Sequence, residues 1–128
     1  MKLADAAGEI YTGLRDLTRE GGPDNYMVVS AGEIYVQFAG HPGNSQILCE
    51  SISNEYLPDQ LKVPPKAIKK LERLGFVLSG DEIKNFSRTY KIANAKQARA
   101  LAGLTVRIFE EVYGLTRTAE LHIEVSLV

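Results

Sequence analysis

The sequence is poor in the side chains on which most catalytic and metal sites depend. Its 128 residues include one cysteine (Cys49), two histidines (His41 and His122) and no tryptophan. One cysteine forms neither an internal disulfide nor a thiolate zinc site, and two histidines leave little for a histidine-rich metal centre. We therefore predict no cofactor and no metal site, and we exclude a small secreted scaffold held by disulfides.

A strong net charge and long apolar runs are also absent. Fifteen Lys and Arg against sixteen Asp and Glu give a net charge of −1, so the chain lacks the global basic field that supports non-specific nucleic-acid binding. No run approaches the roughly 20 apolar residues of a membrane-spanning helix, and the first residues lack the apolar core of a signal peptide. We therefore expect a cytoplasmic protein without membrane contact.

The composition is that of an ordinary folded domain. Hydrophobic residues make up 45% of the chain and charged residues 24%, which argues against disorder. A chain of this length buries enough surface for one hydrophobic core. We predict a single domain over residues 1–128.

The spacing of apolar residues predicts three helices and six strands. The helices are predicted over residues 3–17, 65–74 and 95–113, the last with Asn94 as its N-cap. The strands are predicted at 26–30, 33–38, 47–52, 76–78, 89–92 (an edge strand) and 121–127. The last strand is predicted to turn four apolar residues inward: Leu121, Ile123, Val125 and Leu127. The order α-β-β-β-α-β-β-α-β predicts an α+β fold in which helices pack on one face of an antiparallel sheet.

An apolar patch is predicted on the opposite face of this sheet. Side chains alternate between the two faces of a strand, so Tyr35 points away from the helices if its neighbours point towards them. Glu50 is expected to point outward, and Leu48 and Ile52, two residues to either side of it, would then point outward as well. The predicted patch comprises Tyr35, Leu48, Ile52, Tyr56 and Leu57. Patches of this kind mark contacts with peptides or with a second copy. The alternative is that another segment, such as the second helix, covers this face.

The near-zero net charge is a cancellation between two halves of the chain. Residues 1–64 carry four basic and nine acidic residues, a net of −5, whereas residues 65–128 carry eleven and seven, a net of +4. The second helix has a candidate basic surface made of Lys66, Lys69, Lys70 and Arg73. Such a surface fits a nucleic acid or an acidic partner, and it equally fits a solvated helix face.

Cys49 is the one candidate nucleophile. A reactive cysteine needs a neighbour that lowers the pKa of its thiol, and His41 is the nearest histidine along the sequence. Cysteines in the middle of a strand are usually buried packing residues. We therefore predict that the chain is not an enzyme and has no catalytic residue. A sensor domain for a small ligand is a further alternative.

Four stretches of the chain carry a family resemblance. They are residues 33–40 (EIYVQFAG), 48–57 (LCESISNEYL), 71–76 (LERLGF) and 85–86 (NF). These stretches resemble the bacterial TY-Chap group, which belongs to the superfamily of YbjN and the type III secretion chaperones. Phe76 stands where that group has tryptophan, and the last strand is additional to its minimal fold. The resemblance implies a YbjN-like, type III secretion chaperone-like fold and a non-enzymatic module, often a homodimer, that binds a partner polypeptide.

Overall fold

The computed structural model describes residues 1–78 and 85–128. Its helices are α1 (Ala7–Arg19), α2 (Pro65–Arg73) and α3 (Ala95–Glu111). Its strands are β1 (Asn25–Ala31), β2 (Ile34–Gly40), β3 (Gln46–Ser51), β4 (Val77–Leu78), β5 (Phe86–Lys91) and β6 (His122–Ser126). This order confirms the predicted α+β succession. A turn that the sequence predicts at residues 79–81 lies outside the described residues.

The strands form one antiparallel sheet in the order β4-β5-β3-β2-β1-β6. The first three strands are a meander, and the tight turn between β1 and β2 has Gly32 at a φ of +61°, a conformation that glycine adopts without strain. The strand predicted over 89–92 is present but begins earlier, at Phe86, and all six residues of β5 pair with β3. The two residues of β4 pair only with Phe86 and Ser87, so the predicted stretch from Thr89 onward has β3 as its one neighbour among the described strands. Its sequence hides this extent, since Ser87 and Arg88 interrupt the apolar alternation.

All three helices pack on the same face of the sheet. α1 lies against β1, where Gly13 sits directly on Met27 Sδ and leaves no room for a Cβ atom. α2 buries Ala67 and Leu71 on this side, and Arg88 of β5 donates a hydrogen bond to the Leu74 carbonyl at the end of α2. α3 contributes seven buried residues, more than either of the other two described helices. The prediction that helices occupy one face is therefore confirmed.

A buried asparagine fixes the connection between α1 and β1. The side chain of Asn25 donates to the carbonyls of Leu17 (3.2 Å) and Glu20 (2.6 Å) and accepts from the Gly22 amide (3.0 Å). These bonds satisfy carbonyl groups that the end of a helix leaves without intrahelical partners. The helix therefore ends in a defined geometry that directs the chain into the central sheet.

The start of α3 follows the sequence prediction. Asn94 accepts a hydrogen bond from the Gln97 amide (2.9 Å), and the Gln97 side chain accepts one from the Ala93 amide (2.6 Å). The first bond satisfies an amide group in the first turn of the helix, and the second ties the residue before the N-cap to that turn, much as a capping box does. The prediction of Asn94 as the N-cap is confirmed.

The edge strand β6 turns the predicted residues towards the helices, which cover them to different extents. Leu121 is buried, and Ile123 and Leu127 are half-buried, but Val125 is 40% exposed. Val125 nevertheless points inward as predicted, because it pairs with the buried Met27 of β1 and its Cγ2 lies next to Gly13 of α1. β6 pairs with β1 alone among the described strands, so the helix layer covers this margin of the sheet only in part.

Candidate functional site

The structure divides the predicted apolar patch. Leu48 is 40% exposed and Tyr56 is 45% exposed, whereas Tyr35 is half-buried and its hydroxyl accepts a hydrogen bond from Asn85 Nδ2 (2.8 Å). Ile52 and Leu57 are only 3% and 4% exposed. The prediction that these two residues form part of the surface is wrong.

Ile52 is buried because the strand alternation stops just before it. β3 ends at Ser51, and the Ile52 carbonyl accepts a hydrogen bond from the Tyr113 hydroxyl (2.6 Å). The loop that follows is held by Asn54, whose side chain accepts from the Val63 amide (2.8 Å) and donates to the Val63 carbonyl (2.9 Å). These bonds hold the loop in a turned conformation, in which Leu57 joins the core.

Three exposed apolar residues on the other face of the sheet lie in one row. Leu48 of β3 pairs with Ala39 of β2, and Ala39 pairs with Tyr26 of β1. All three side chains are exposed, Tyr26 to 38%. None of the described helices covers this row, so the alternative in which α2 covers it is wrong. Sequence reasoning missed Tyr26 and Ala39, although the inward positions of Met27 and Phe38 indicate where their neighbours point.

This row forms the floor of a shallow groove across the sheet, which we call the sheet groove. The small side chain of Ala39 lies between the larger ones of Tyr26 and Leu48 and leaves a depression of about 330 Å³. A second depression of about 480 Å³ shares these three residues and continues towards His41 and Asn44 in the β2–β3 turn. The groove is therefore elongated, and its floor is apolar.

The polar groups of the sheet groove favour one sign of charge. Its described lining includes the carboxylates Asp24 and Glu50 and includes no lysine or arginine. Glu50 accepts a hydrogen bond from Gln37 Nε2 on the neighbouring strand. The groove can therefore receive apolar side chains on its floor and hydrogen-bond donors or cations at its margin.

Cys49 has no access to this groove. Its side chain lies on the helix side of the sheet, opposite Phe38, and is fully buried. Burial raises the pKa of the thiol far above its ordinary value, and the charge of Glu50 raises it further. A protonated, buried thiol is a poor nucleophile, so the structure gives no support to an enzyme built on Cys49.

We therefore expect Cys49 to stay unmodified by a thiol-specific disulfide reagent in the native protein at about pH 8, near the pKa of a free thiol. In denaturant the reagent should label one thiol per chain within seconds to minutes, because unfolding exposes the side chain and restores its ordinary pKa. Absorbance of the released chromophore measures both reactions. Rapid stoichiometric labelling of the folded protein would contradict the burial of Cys49.

The described part of the chain shows neither a metal-binding cluster nor a membrane-spanning helix. Residues 1–78 and 85–128 hold no cluster of three His, Cys, Asp or Glu side chains arranged to bind a metal ion. Within the same residues, no helix has the length and apolar character needed to cross a membrane.

The predicted basic surface on α2 divides between two sides of the helix. Lys66, Lys70 and Arg73 line clefts between α2 and the C-terminal half of α3. Lys69 is exposed and lies outside both clefts. Sequence spacing alone does not separate these residues, because the position of α3 decides which of them border a cleft.

The architecture, with a layer of helices on one side of a sheet and an open apolar groove on the other, is that of a chaperone-like α+β domain. The family model described as "T3SS (YopN, CesT) and YbjN peptide-binding chaperone 3" (TY-Chap3) matches residues 7–126. The chain therefore belongs to this family, and the resemblance seen in the sequence is confirmed. No match to the chain was found among curated proteins, and none among solved structures.

Proposed function

We propose that this chain binds an extended polypeptide segment in the sheet groove, without carrying out any chemistry on it. The observation that carries the proposal is the row formed by Tyr26, Ala39 and Leu48. This row is apolar and exposed, and none of the described helices covers it. The family description, which names peptide binding, supports the same class of ligand.

The groove suits an extended segment because of its shape. An apolar side chain of the ligand would fill the depression over Ala39 and contact Tyr26 and Leu48 on either side. Alternate side chains of an extended peptide point the same way about 7 Å apart, so a second side chain reaches along the groove towards His41. Asp24 and Glu50 would accept hydrogen bonds from the ligand and favour lysine or arginine beside its apolar residues.

The free edge of β6 is the competing place for an extended peptide, since an unpaired strand edge can accept a further strand. The chain's own first residues pair with the segment just before this strand. The Leu121 amide donates to the Met1 carbonyl (2.6 Å), and the Met1 ammonium donates to the Leu121 carbonyl (3.0 Å). This pairing ends before β6, and no described residue pairs with the outer edge of His122–Ser126. The row of apolar side chains is what favours the sheet groove as the principal site.

Partner identity and assembly are part of the proposal. We propose that the ligand is a segment of another polypeptide, that the chain acts in the cytoplasm and that it forms a homodimer. Analytical ultracentrifugation measures the dimer directly. If two copies cover each other's sheet groove, peptide should dissociate the dimer, whereas a dimer formed elsewhere should bind peptide without dissociating.

Replacing Ala39 with tryptophan tests the groove by filling it. A cellulose-bound array of random peptides of about 12 residues first supplies a probe, and fluorescence anisotropy then measures its affinity. We expect the Ala39→Trp variant to bind the probe at least about tenfold more weakly, because the indole occupies the depression that the ligand needs. An exposed strand position accepts an aromatic residue, so the fold should persist.

Ala100→Trp provides the matched control, because Ala100 is exposed on α3, on the helix side of the molecule. This variant should bind the probe as the original chain does. If binding depends only on general surface hydrophobicity, Ala39→Trp will bind as well as or better than the original. That result would contradict the proposal, as would an array without any binding peptide.

A further inference from the structure

A second elongated cleft lies on the opposite side of the molecule, between α2 and α3. It consists of two adjoining cavities of about 280 and 370 Å³, which share Lys70, Glu111 and Val112. The first runs from Lys70 to Leu104, and the second continues to Lys62. We call the two together the helix cleft. Nothing in the proposed function of the sheet groove makes use of it.

The floor of the helix cleft is apolar. Ile108 and Val112 are buried beneath it, and Leu74 and Leu104 are half-buried at its sides. The residues that α3 contributes, 104, 107, 108 and 111, follow the spacing of one helical stripe. The cleft is therefore bounded by two helix faces, a geometry into which a third helix can lie.

The rim of the helix cleft is strongly basic. Five cationic side chains line it: Lys62, Lys66, Lys70, Arg73 and Arg107. Of the described lining residues, only Glu111 carries a carboxylate, and it is paired with Arg107 (3.0 Å).

Most of the remaining charge on this rim is uncompensated. Lys62 is paired with Asp59 (3.3 Å). Lys66, Lys70 and Arg73 form no ion pair with any described residue. Three uncompensated cations therefore surround an apolar floor, which defines the chemistry of a complementary ligand: apolar residues on one side and carboxylates on the other.

We propose that the helix cleft binds an acidic amphipathic helix of a partner polypeptide. The apolar face of that helix would lie over Leu74, Leu104 and Ile108, and its carboxylates would pair with Lys70 and Arg73. A purely polar anion would satisfy the rim and leave the floor uncovered. This site differs from the sheet groove, which is lined by carboxylates, so the two surfaces take ligands of opposite charge.

The test uses a fluorescein-labelled peptide of about 15 residues, close to the shortest length that is helical on its own, with leucine on one face and glutamate on the other. We expect it to bind the original chain and to bind the Lys70→Glu, Arg73→Glu double variant at least about tenfold more weakly, measured by anisotropy. The neutral Lys70→Gln, Arg73→Gln variant should lie between them. Circular dichroism verifies that each variant is folded.

The control variant is Lys69→Glu, which makes the same change of charge on the same helix outside the cleft. It should weaken binding by no more than about twofold, through the general field alone. A peptide with lysine in place of glutamate, and one with serine in place of leucine, should not bind. The proposal would be overturned if either altered peptide bound as tightly as the acidic one, or if the acidic peptide did not bind at all. It would also be overturned if Lys69→Glu lost as much affinity as the Lys70→Glu, Arg73→Glu variant.

Single-stranded DNA of about 15 thymidines provides the last probe. If it binds more tightly than the acidic peptide, and if the Lys70→Glu, Arg73→Glu variant abolishes that binding, the cleft is a nucleic-acid surface and the proposal is wrong. We expect the DNA to compete with the peptide weakly and to lose its affinity steeply as salt is raised, since it contacts only the rim. Neither outcome bears on the sheet groove, whose test uses a different probe and different variants.

Discussion

Replacing Tyr26 with serine and Leu48 with threonine is expected to weaken peptide binding at least about tenfold, or about 1.4 kcal/mol. Both side chains expose about two-fifths of their surface on the open face of the sheet. A bound peptide would bury this apolar surface, and burial contributes about 25 cal/mol per Å². The substitutions remove that area from the free protein without opening a cavity in the core, so the free energy of unfolding should change by less than about 1 kcal/mol.

The control for this variant is Val125→Thr, because Val125 is exposed to the same 40% as Leu48 but lies on the edge strand β6. Anisotropy with the array-derived peptide compares the two. We expect Val125→Thr to keep full affinity. A loss confined to Val125→Thr would show that the ligand pairs with the free edge of β6 and would leave the sheet groove without a role.

Replacing Phe109 with alanine is expected to have the largest effect on stability, a decrease in the free energy of unfolding of about 3–5 kcal/mol. Phe109 is fully buried in the middle of the helix layer, and its ring centroid lies 6.2 Å from that of Tyr113. Truncation removes apolar contacts and leaves a cavity that the packed surroundings fill only partly. Such a loss is a large part of the roughly 5–15 kcal/mol that stabilises a domain of ordinary size.

Urea denaturation followed by circular dichroism measures this decrease. Phe109→Leu provides the graded control: it keeps most of the buried volume and should cost about 1–1.5 kcal/mol. A decrease below about 1 kcal/mol for Phe109→Ala would show that α3 does not pack against the sheet as the structure has it. Because Phe109 lies on the helix side of the sheet, the folded fraction of either variant should retain its affinity for the array-derived peptide.

The sequence predicts the order of elements because each one has a strong local signal. Asn94 indicates the start of α3, and alternation in residues 34–38 indicates the inward face of β2. The signal fails where a tertiary contact overrides local alternation. Ile52 lies four residues after Leu48, so strand alternation would place both side chains on the same exposed face. Ile52 is buried instead, because the strand has already ended and the hydroxyl of Tyr113, sixty-one residues away, donates a hydrogen bond to its carbonyl.

The candidate sites depend on information that no local pattern contains. Tyr26, Ala39 and Leu48 lie far apart in the sequence and form a row only through the pairing of β1, β2 and β3. In the same way, Lys69 and Lys70 are neighbours in the sequence, but only Lys70 lines the cleft beside α3. Register and helix placement, which follow from packing of the whole core, decide both sites.

The two surfaces carry charged groups of opposite sign, which the near-zero net charge of the chain does not reveal. The sheet groove carries carboxylates around an apolar floor, and the helix cleft carries cations around another. One partner with a basic extended segment and an acidic helix would engage both sides, and the effective concentration of the second contact would then raise its overall affinity. Two separate partners would bind without mutual competition.

The central claim is that a polypeptide lies on the open face of the sheet. Titration of the ¹⁵N-labelled chain with the array-derived peptide, followed by two-dimensional NMR, tests it most directly. We predict that the largest changes of amide shifts fall on Tyr26, Ala39, Leu48 and Glu50, with α1 and α3 little affected. The claim would be contradicted if the largest shift changes fell instead on Ile123 and Val125 at the edge of β6, or on α2 and α3 alone.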